Sequence, residues 1–341
     1  MKPFATLRPA LLVLALLPVF FSNCTDNGDL PLVDRRDDGK LFLSSSTMGA
    51  VGVLDINDSR PVLATFPAAS TDAHGIYYLD ERETILQVNR DESTLVSYQN
   101  VLSHMEASAG VTVAAASTPD FVNGRGLTHL GGDRFVVVQD DRNDRDRLEE
   151  NSMVVYRYTS DQGFVRQRKV YTGFDLWGLR NGDRHLFASV DNTDSLAVFD
   201  RTVFSAPDET RVGPDHFIKI AGIKRTCGIA YNLQNDVLVL TDVGSLDSYE
   251  DGAVVIIPNF TSLMNVDTIT AADYLRISGP ETALGNPVDV AYDRKQQRVY
   301  VAEQANEGGQ LLVFDATVGG SSAPISRTAF PGISALFLNR D

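Results

Sequence analysis

Four residues of different chemistry stand at matching places in the chain, each directly before a glycine and an apolar residue. They are His74 before Gly75-Ile76, Arg125 before Gly126-Leu127, Trp177 before Gly178-Leu179 and Cys227 before Gly228-Ile229. Asp289 stands where a further glycine would fall, and Asp175 lies just before Trp177. A histidine exchanges a proton near neutral pH. An arginine clamps a carboxylate through paired N–H donors, and an indole stacks on a ring or sugar. His74, Arg125, Asp175, Trp177 and Asp289 are therefore candidate ligand-facing residues. The alternative is that they fill space and pair with one another, Arg125 with Asp175 for example. Cys227 reads as a small buried strand residue rather than a nucleophile.

A second series follows the strongest apolar runs: Asn89, Asp140, Asp191, Asp242 and Glu303, with Ser46 in the first repeat. Each side chain could cap its own turn by accepting backbone N–H bonds. A ring of carboxylates could instead bind a hard cation such as Ca²⁺, and Asp242, Asp289 and Glu303 are the candidate ligands for that reading. No His or Cys spacing resembles a zinc site.

These residues recur because the chain does. The segments that start at Gly75, Gly126, Gly178, Gly228, Asp289 and Gly332 are separated by 51, 52, 50, 61 and 43 residues. Behind most of them comes a polar turn and then a β run: Thr84–Val88, Arg134–Val138, Leu186–Val190, Val237–Thr241, Arg298–Ala302. A second run follows each, at Thr94–Tyr98, Met153–Tyr158, Ser195–Phe199, Ala253–Ile257 and Gln310–Phe314. Only Leu263–Leu275 leaves room for a short helix. One inner strand, two middle strands and a variable outer strand per fifty residues describe the blade of a β-propeller. Residues 40–56 supply middle strands with no inner strand before them, and residues 331–338 supply an inner strand with nothing after it. The expectation is an all-β, six-bladed β-propeller over residues 39–341, its first blade closed by the C-terminal strand.

The run Pro287-Val288-Asp289-Val290-Ala291-Tyr292-Asp293, with Arg298–Glu303 and Leu311–Asp315 behind it, resembles NHL and YVTN propeller repeats, as do residues 185–200. The resemblance implies that the loop entering each inner strand shares a face with the loop between the two middle strands. It selects no activity, because such propellers serve as protein-binding platforms, lactone hydrolases, lyases and dehydrogenases.

Lys2 and Arg8 precede an apolar run from Ala10 to Phe21, which is short for a bilayer span and suits a signal peptide over residues 1–23. Phe21-Ser22-Asn23-Cys24 resembles a bacterial lipobox, and the acidic stretch after Cys24 resembles the export tails of Bacteroidetes lipoproteins. Cys24 is thus the candidate lipidation site and residues 24–38 a polar tether. The alternative is an ordinary signal peptide in which Cys24 is incidental. The expected location is outside the cytoplasm, membrane-anchored, periplasmic or on the cell surface.

A net charge of −15 opposes nucleic-acid binding. Two acidic segments, Asp140–Glu150 and Asp242–Gly252, would rise from one face. No nucleophile elbow, zincin motif or phosphate loop is present. The reading is a rigid cell-envelope platform that binds a protein or small-molecule ligand at one face. The alternative resembles the gluconolactonase family, a metal-dependent hydrolase whose carboxylates and Asn converge on one ion. Its Asn-Gly entrance has its nearest match at Asn123-Gly124, two residues before the expected place.

Overall fold

The structure is a computed structural model and describes residues 39–106, 110–140, 150–245 and 247–340. The expected signal peptide, Cys24 and the tether lie outside the described residues, as do positions 141–149 of the first acidic loop.

Among the described residues, twenty-six strands form six sheets. Blade 1 holds β1 (Lys40–Ser45), β2 (Ala50–Asp55) and β3 (Leu63–Pro67). Blade 2 holds β4 (Ala73–Leu79), β5 (Thr84–Asn89), β6 (Thr94–Tyr98) and β7 (Val113–Ala116). Blade 3 holds β8 (Gly124–Gly131), β9 (Arg134–Gln139), β10 (Ser152–Thr159) and β11 (Gly163–Tyr171), with β15 (Thr210–Arg211) added outside. Blade 4 holds β12 (Leu176–Asn181), β13 (His185–Val190), β14 (Ser195–Asp200) and β16 (His216–Ile220), with β20 (Thr268–Ile269) added outside. Blade 5 holds β17 (Thr226–Asn232), β18 (Val237–Asp242), β19 (Ala253–Pro258) and β21 (Leu275–Ser278). Blade 6 holds β22 (Pro287–Asp293), β23 (Arg298–Glu303), β24 (Gln310–Asp315) and β25 (Ser326–Ala329). The last strand, β26 (Ile333–Asn339), pairs antiparallel with β1 and becomes the inner strand of blade 1. The inner strands then touch in a ring, β26 to β4, β8, β12, β17, β22 and back to β26. The expected six-bladed propeller and its closure are both observed.

The middle strands read as continuous apolar runs because both of their faces are covered. Ile85 packs toward blade 1 while its neighbour Leu86 packs toward blade 3. The hydrophobic core is accordingly six layers, one in each gap between blades. The layer that joins Leu41, Leu43 and Leu54 to Tyr300, Ala302 and Leu311 seals the ring between blades 6 and 1.

The repeated glycines sit where inner strands cross at their closest. A Cβ on Gly75 would lie 2.6 Å from the Leu127 nitrogen, and one on Gly228 would lie 2.5 Å from the Asp289 Cα. The ladder slips at this place in each complete blade, for instance between Ala73 and Ile76 and between Thr226 and Ile229.

The outer rim is stitched from blade to blade. On its way from third to fourth strand the chain reaches back to the preceding blade and adds a short parallel pairing. Thr210 and Arg211 pair with Val170 and Tyr171, Thr268 and Ile269 with Lys219 and Ile220, and Gly320 bridges Ile277. Val111 donates its N–H to Pro67 O of blade 1 at 3.1 Å. These pairings occupy edges that an open sheet would present to other chains. The helices differ from expectation. The segment expected to hold one contains β20, and the α-helical turns among the described residues are α1 (Val101–Glu106) and α2 (Phe260–Leu263), on the stitching excursions of blades 2 and 5.

Candidate functional site

The five residues grouped by spacing at the second-strand ends belong to two positions. Asn89, Asp242 and Glu303 are the last paired residues of β5, β18 and β23, opposite Ala73, Thr226 and Pro287. Asp140 and Asp191 lie one residue beyond β9 and β13, whose equivalent places are Gln139 and Val190. Successive side chains point to opposite faces, so one residue of offset sends these carboxylates elsewhere.

The first class ties each second strand to the loop entering its inner strand. Glu303, fully buried, accepts N–H bonds from Gly285, Asn286, Ala305 and Asn306. Asp242 Oδ1 accepts from Lys224, Arg225 and Gly244, and Arg276 Nη2 lies 3.2 Å from its Oδ2. Gln139 Oε1 accepts from Val122 and Asn123. Asn89 Oδ1 accepts from Ser70 Oγ, and in blade 1 Ser45 Oγ donates to Pro331 O. Asp242 and Glu303 cap turns as expected from the sequence, whereas Gln139 and Ser45 stand where Asp140 and Ser46 were expected.

The candidate Ca²⁺ ligands are therefore committed elsewhere. Asp242 is taken up by backbone N–H groups and Arg276, Glu303 by backbone N–H groups of another blade, and Asp289 faces Arg180 Nη2 at 3.6 Å. Among the described residues no three His, Cys, Asp or Glu side chains come together as a metal site. The residues present do not fit a bound cation. Asn123 Nδ2 donates to Asp140 at 3.3 Å.

At the end where inner strands begin, the candidate residues fill the channel. His74 is buried, and its Nε2 lies 2.8 Å from Arg90 Nη1 and 3.4 Å from Arg125 Nη1. Guanidinium groups only donate, so Nε2 accepts and Nδ1 carries the proton. Burial, with the Arg125 and Arg90 charges, holds this imidazole neutral, its pKa well below the usual value. Arg125 lies 4.2 Å over the Trp177 ring and reaches Asp140 Oδ2 at 3.4 Å. Its partner is Asp140 and not Asp175, which accepts from Asn151 Nδ2 at 2.8 Å. Trp177 Nε1 donates to Val288 O at 3.0 Å across the axis. The gap left among His74, Arg125, Trp177 and Asp289 measures about 20 Å³, too little for a ligand. Burial pushes Asp140 up to about 6 against the opposing Arg125 charge, with Asp191 and Asp175 adding to the rise. Cys227 is buried beside Asp191 at 3.6 Å, and burial raises its thiol well above the usual range, as expected of an inert cysteine.

The opposite end is open. Where the inner strands finish, a cavity of about 360 Å³ lies on the axis. Its closed end carries Arg180, and its walls carry Tyr77, His129, Tyr231, Tyr292 and Phe337. Tyr77 packs against Phe337 at 4.3 Å and against His129 at 5.4 Å between ring centres. Arg294, Lys295 and Arg340 stand on the blade 6 and blade 1 side. Arg340 is held by Asp293 Oδ2 at 2.5 Å and Asn57 Oδ1 at 2.9 Å. Arg180 Nη1 donates to Leu179 O at 2.9 Å, while Asp289 Oδ2 is taken by the Leu336 N–H at 2.8 Å.

Sequence reasoning placed the ligand-facing set at the strand entrances and passed over this cavity. A signal was present two residues after the shared glycine. There the other complete blades carry Tyr77, Thr128, Ala230 and Ala291, and blade 4 carries Arg180, a charge that breaks the repeat. Its significance needed the knowledge that the entrance is filled.

No family model and no curated protein matches the chain. Solved structures do match in fold. One, from the crystal structure of a nidogen/laminin complex, is 10% identical, with a TM-score of 0.59 over 87% of this chain and 97% of that one. A protein of unknown function from Bacteroides caccae is 11% identical, with a TM-score of 0.55 over 89% and 100%. A functionally unknown protein from Desulfotomaculum acetoxidans is 11% identical, with a TM-score of 0.55 over 89% and 99%. At such identities the likeness is one of architecture, and the chain is a six-bladed β-propeller.

Proposed function

We propose that this protein is an exported, lipid-anchored binding protein of the cell envelope, built from NHL/YVTN-like blades, with the strand-exit cavity as its ligand site. The observation that carries the site is the form of the two ends of the axis: about 360 Å³ at the exit is walled by aromatic side chains, while at the entrance His74, Arg125 and Trp177 plug the channel and leave only a wider, polar hollow above His74, Arg90 and Arg125. A concave site with aromatic walls and a few polar groups is the usual form of a ligand pocket. The anchor rests on Cys24 directly behind the apolar run. One architectural neighbour comes from a nidogen/laminin complex, an assembly of proteins, which supports a binding role for such a platform.

The site is tested by screening the full chain against a small-molecule library by thermal shift, in parallel with Arg180→Met and Tyr231→Ala. Hits are expected to lose their shift in one or both variants. Hits that keep their affinity in both would place binding elsewhere and overturn the assignment. The anchor is tested by intact mass: the mature chain is expected to begin at a diacylglyceryl-modified Cys24, and an unmodified chain would overturn it.

A further inference from the structure

The charge around the cavity runs against that of the chain. The chain carries a net charge of −15, yet four cationic side chains, Arg180, Arg294, Lys295 and Arg340, stand around this space against the carboxylates Asp289 and Asp293. Asp293 is already committed, with Arg340 on one oxygen and the Lys295 and Gln296 N–H groups on the other. Arg180 is only partly used. One donor goes to Leu179 O, and the nearest carboxylate oxygen lies 3.6 Å away, longer than a hydrogen bond. A guanidinium has further N–H donors, set in a planar fork that matches a carboxylate. Arg294 has no protein partner among the described residues. A guanidinium with spare donors at the closed end of a pocket is a recognition group for an anion.

The walls narrow the class. Tyr231 and Tyr292, with the Tyr77–Phe337 pair, give flat apolar faces that suit a ring. Asn181 and Asn232 add polar groups near Arg180. The long-range field narrows it further. Beyond a Debye length of about 8 Å the pocket's own charges are screened. Polyanions long enough to leave the pocket would feel the net charge of −15 on the chain. A small acid that stays within it meets mainly the local cations.

We propose that the exit cavity binds a small monocarboxylate carried on a ring, its carboxylate against Arg180 and its ring against the tyrosines. This rests on the binding reading above and names its ligand class. Sugar acids and aromatic acids share the chemistry, and the test separates them.

The probes for calorimetry on the full chain are D-glucuronate and 4-hydroxybenzoate. The neutral counterparts are methyl glucoside and methyl 4-hydroxybenzoate, and acetate serves as an acid without a ring. At least one ring acid should bind tenfold or more tighter than its neutral counterpart and tighter than acetate, and which acid does so identifies the source. Arg180→Met should weaken that acid at least tenfold, with partial recovery in Arg180→Lys. Because Arg180→Met leaves Asp289 without a counter-charge and could misfold, Arg294→Ala is the second variant. It should weaken the acid severalfold at low salt and leave the neutral probe unchanged. Equal binding of acid and neutral probe, no binding of either acid, or indifference to both Arg180→Lys and Arg294→Ala would overturn the proposal. Neutral probes that bind as tightly as the acids and respond to Tyr231→Ala would overturn the acid assignment while the cavity stands as a ligand site.

Discussion

Arg180 Nη2 lies 3.6 Å from Asp289 Oδ1 across the channel, and this pair divides the axis in two. On one side, His74, Arg125 and Trp177 close the channel with a histidine–arginine–indole stack. On the other, the aromatic cavity opens to solvent. Asp289 takes the place of a glycine in the repeat, and Arg180 comes from the facing blade 4, so the break in symmetry is shared between two blades.

Ring closure depends on β26. Removing residues 333–341 should leave β1 with an open edge and blade 1 without its inner strand. The expected result is loss of cooperative unfolding and a strong tendency to aggregate, read by circular dichroism melts and size-exclusion chromatography. A truncated chain that melts like the intact one would contradict the closure.

Glu303→Gln should destabilise the propeller by about 1–3 kcal/mol, since one amide oxygen replaces a carboxylate serving four backbone N–H groups. Urea midpoints at constant m value check this. The same change at exposed Glu307 should leave the midpoint where it was.

Gly228→Ala should cost stability at the upper end of about 1–3 kcal/mol, because its Cβ would press on the backbone of Asp289. Gly213→Ala, where a Cβ meets nothing within 4 Å, is the control. Equal midpoints for the two variants would mean that blades 5 and 6 are not in contact at this point.

Two buried groups should give stability opposite pH slopes. Asp140 is raised to about 6 from 3.8, so between these values the native state holds a proton that the unfolded chain has released. Stability from this group is therefore lost as pH climbs from about 4 to 6, and wild type should weaken relative to Asp140→Asn over that range. His74 is held well below 6.5, so under acid the unfolded chain gains a proton that the native state refuses. Wild type should weaken relative to His74→Gln as pH falls below about 6.5. Denaturant midpoints from pH 4 to 7.5 separate the two.

Much of the architecture was legible in the sequence, because a blade is a local unit. Its strands are adjacent in the chain, its middle strands are apolar on both faces, and the unmatched halves at the two ends announce their own pairing. The caps at Asp242 and Glu303 were legible in part for the same reason, since each serves the turn just after it, but their bonds to Lys224 and Arg225 and to Gly285 and Asn286, 17 and 18 residues back, needed the paired strands. Spacing misled where insertions hid the register: Asn89, Asp140, Asp191 and Asp242 fall 51 residues apart, yet one residue of offset turns Asp140 and Asp191 away from the cap position. The sequence by itself determined the repeat, the number of blades and the glycines at their crossing. Only the tertiary structure decided which end of the channel is filled, because that depends on side chains from facing blades, 111 residues apart for Trp177 and Val288, meeting across an axis no local pattern encodes.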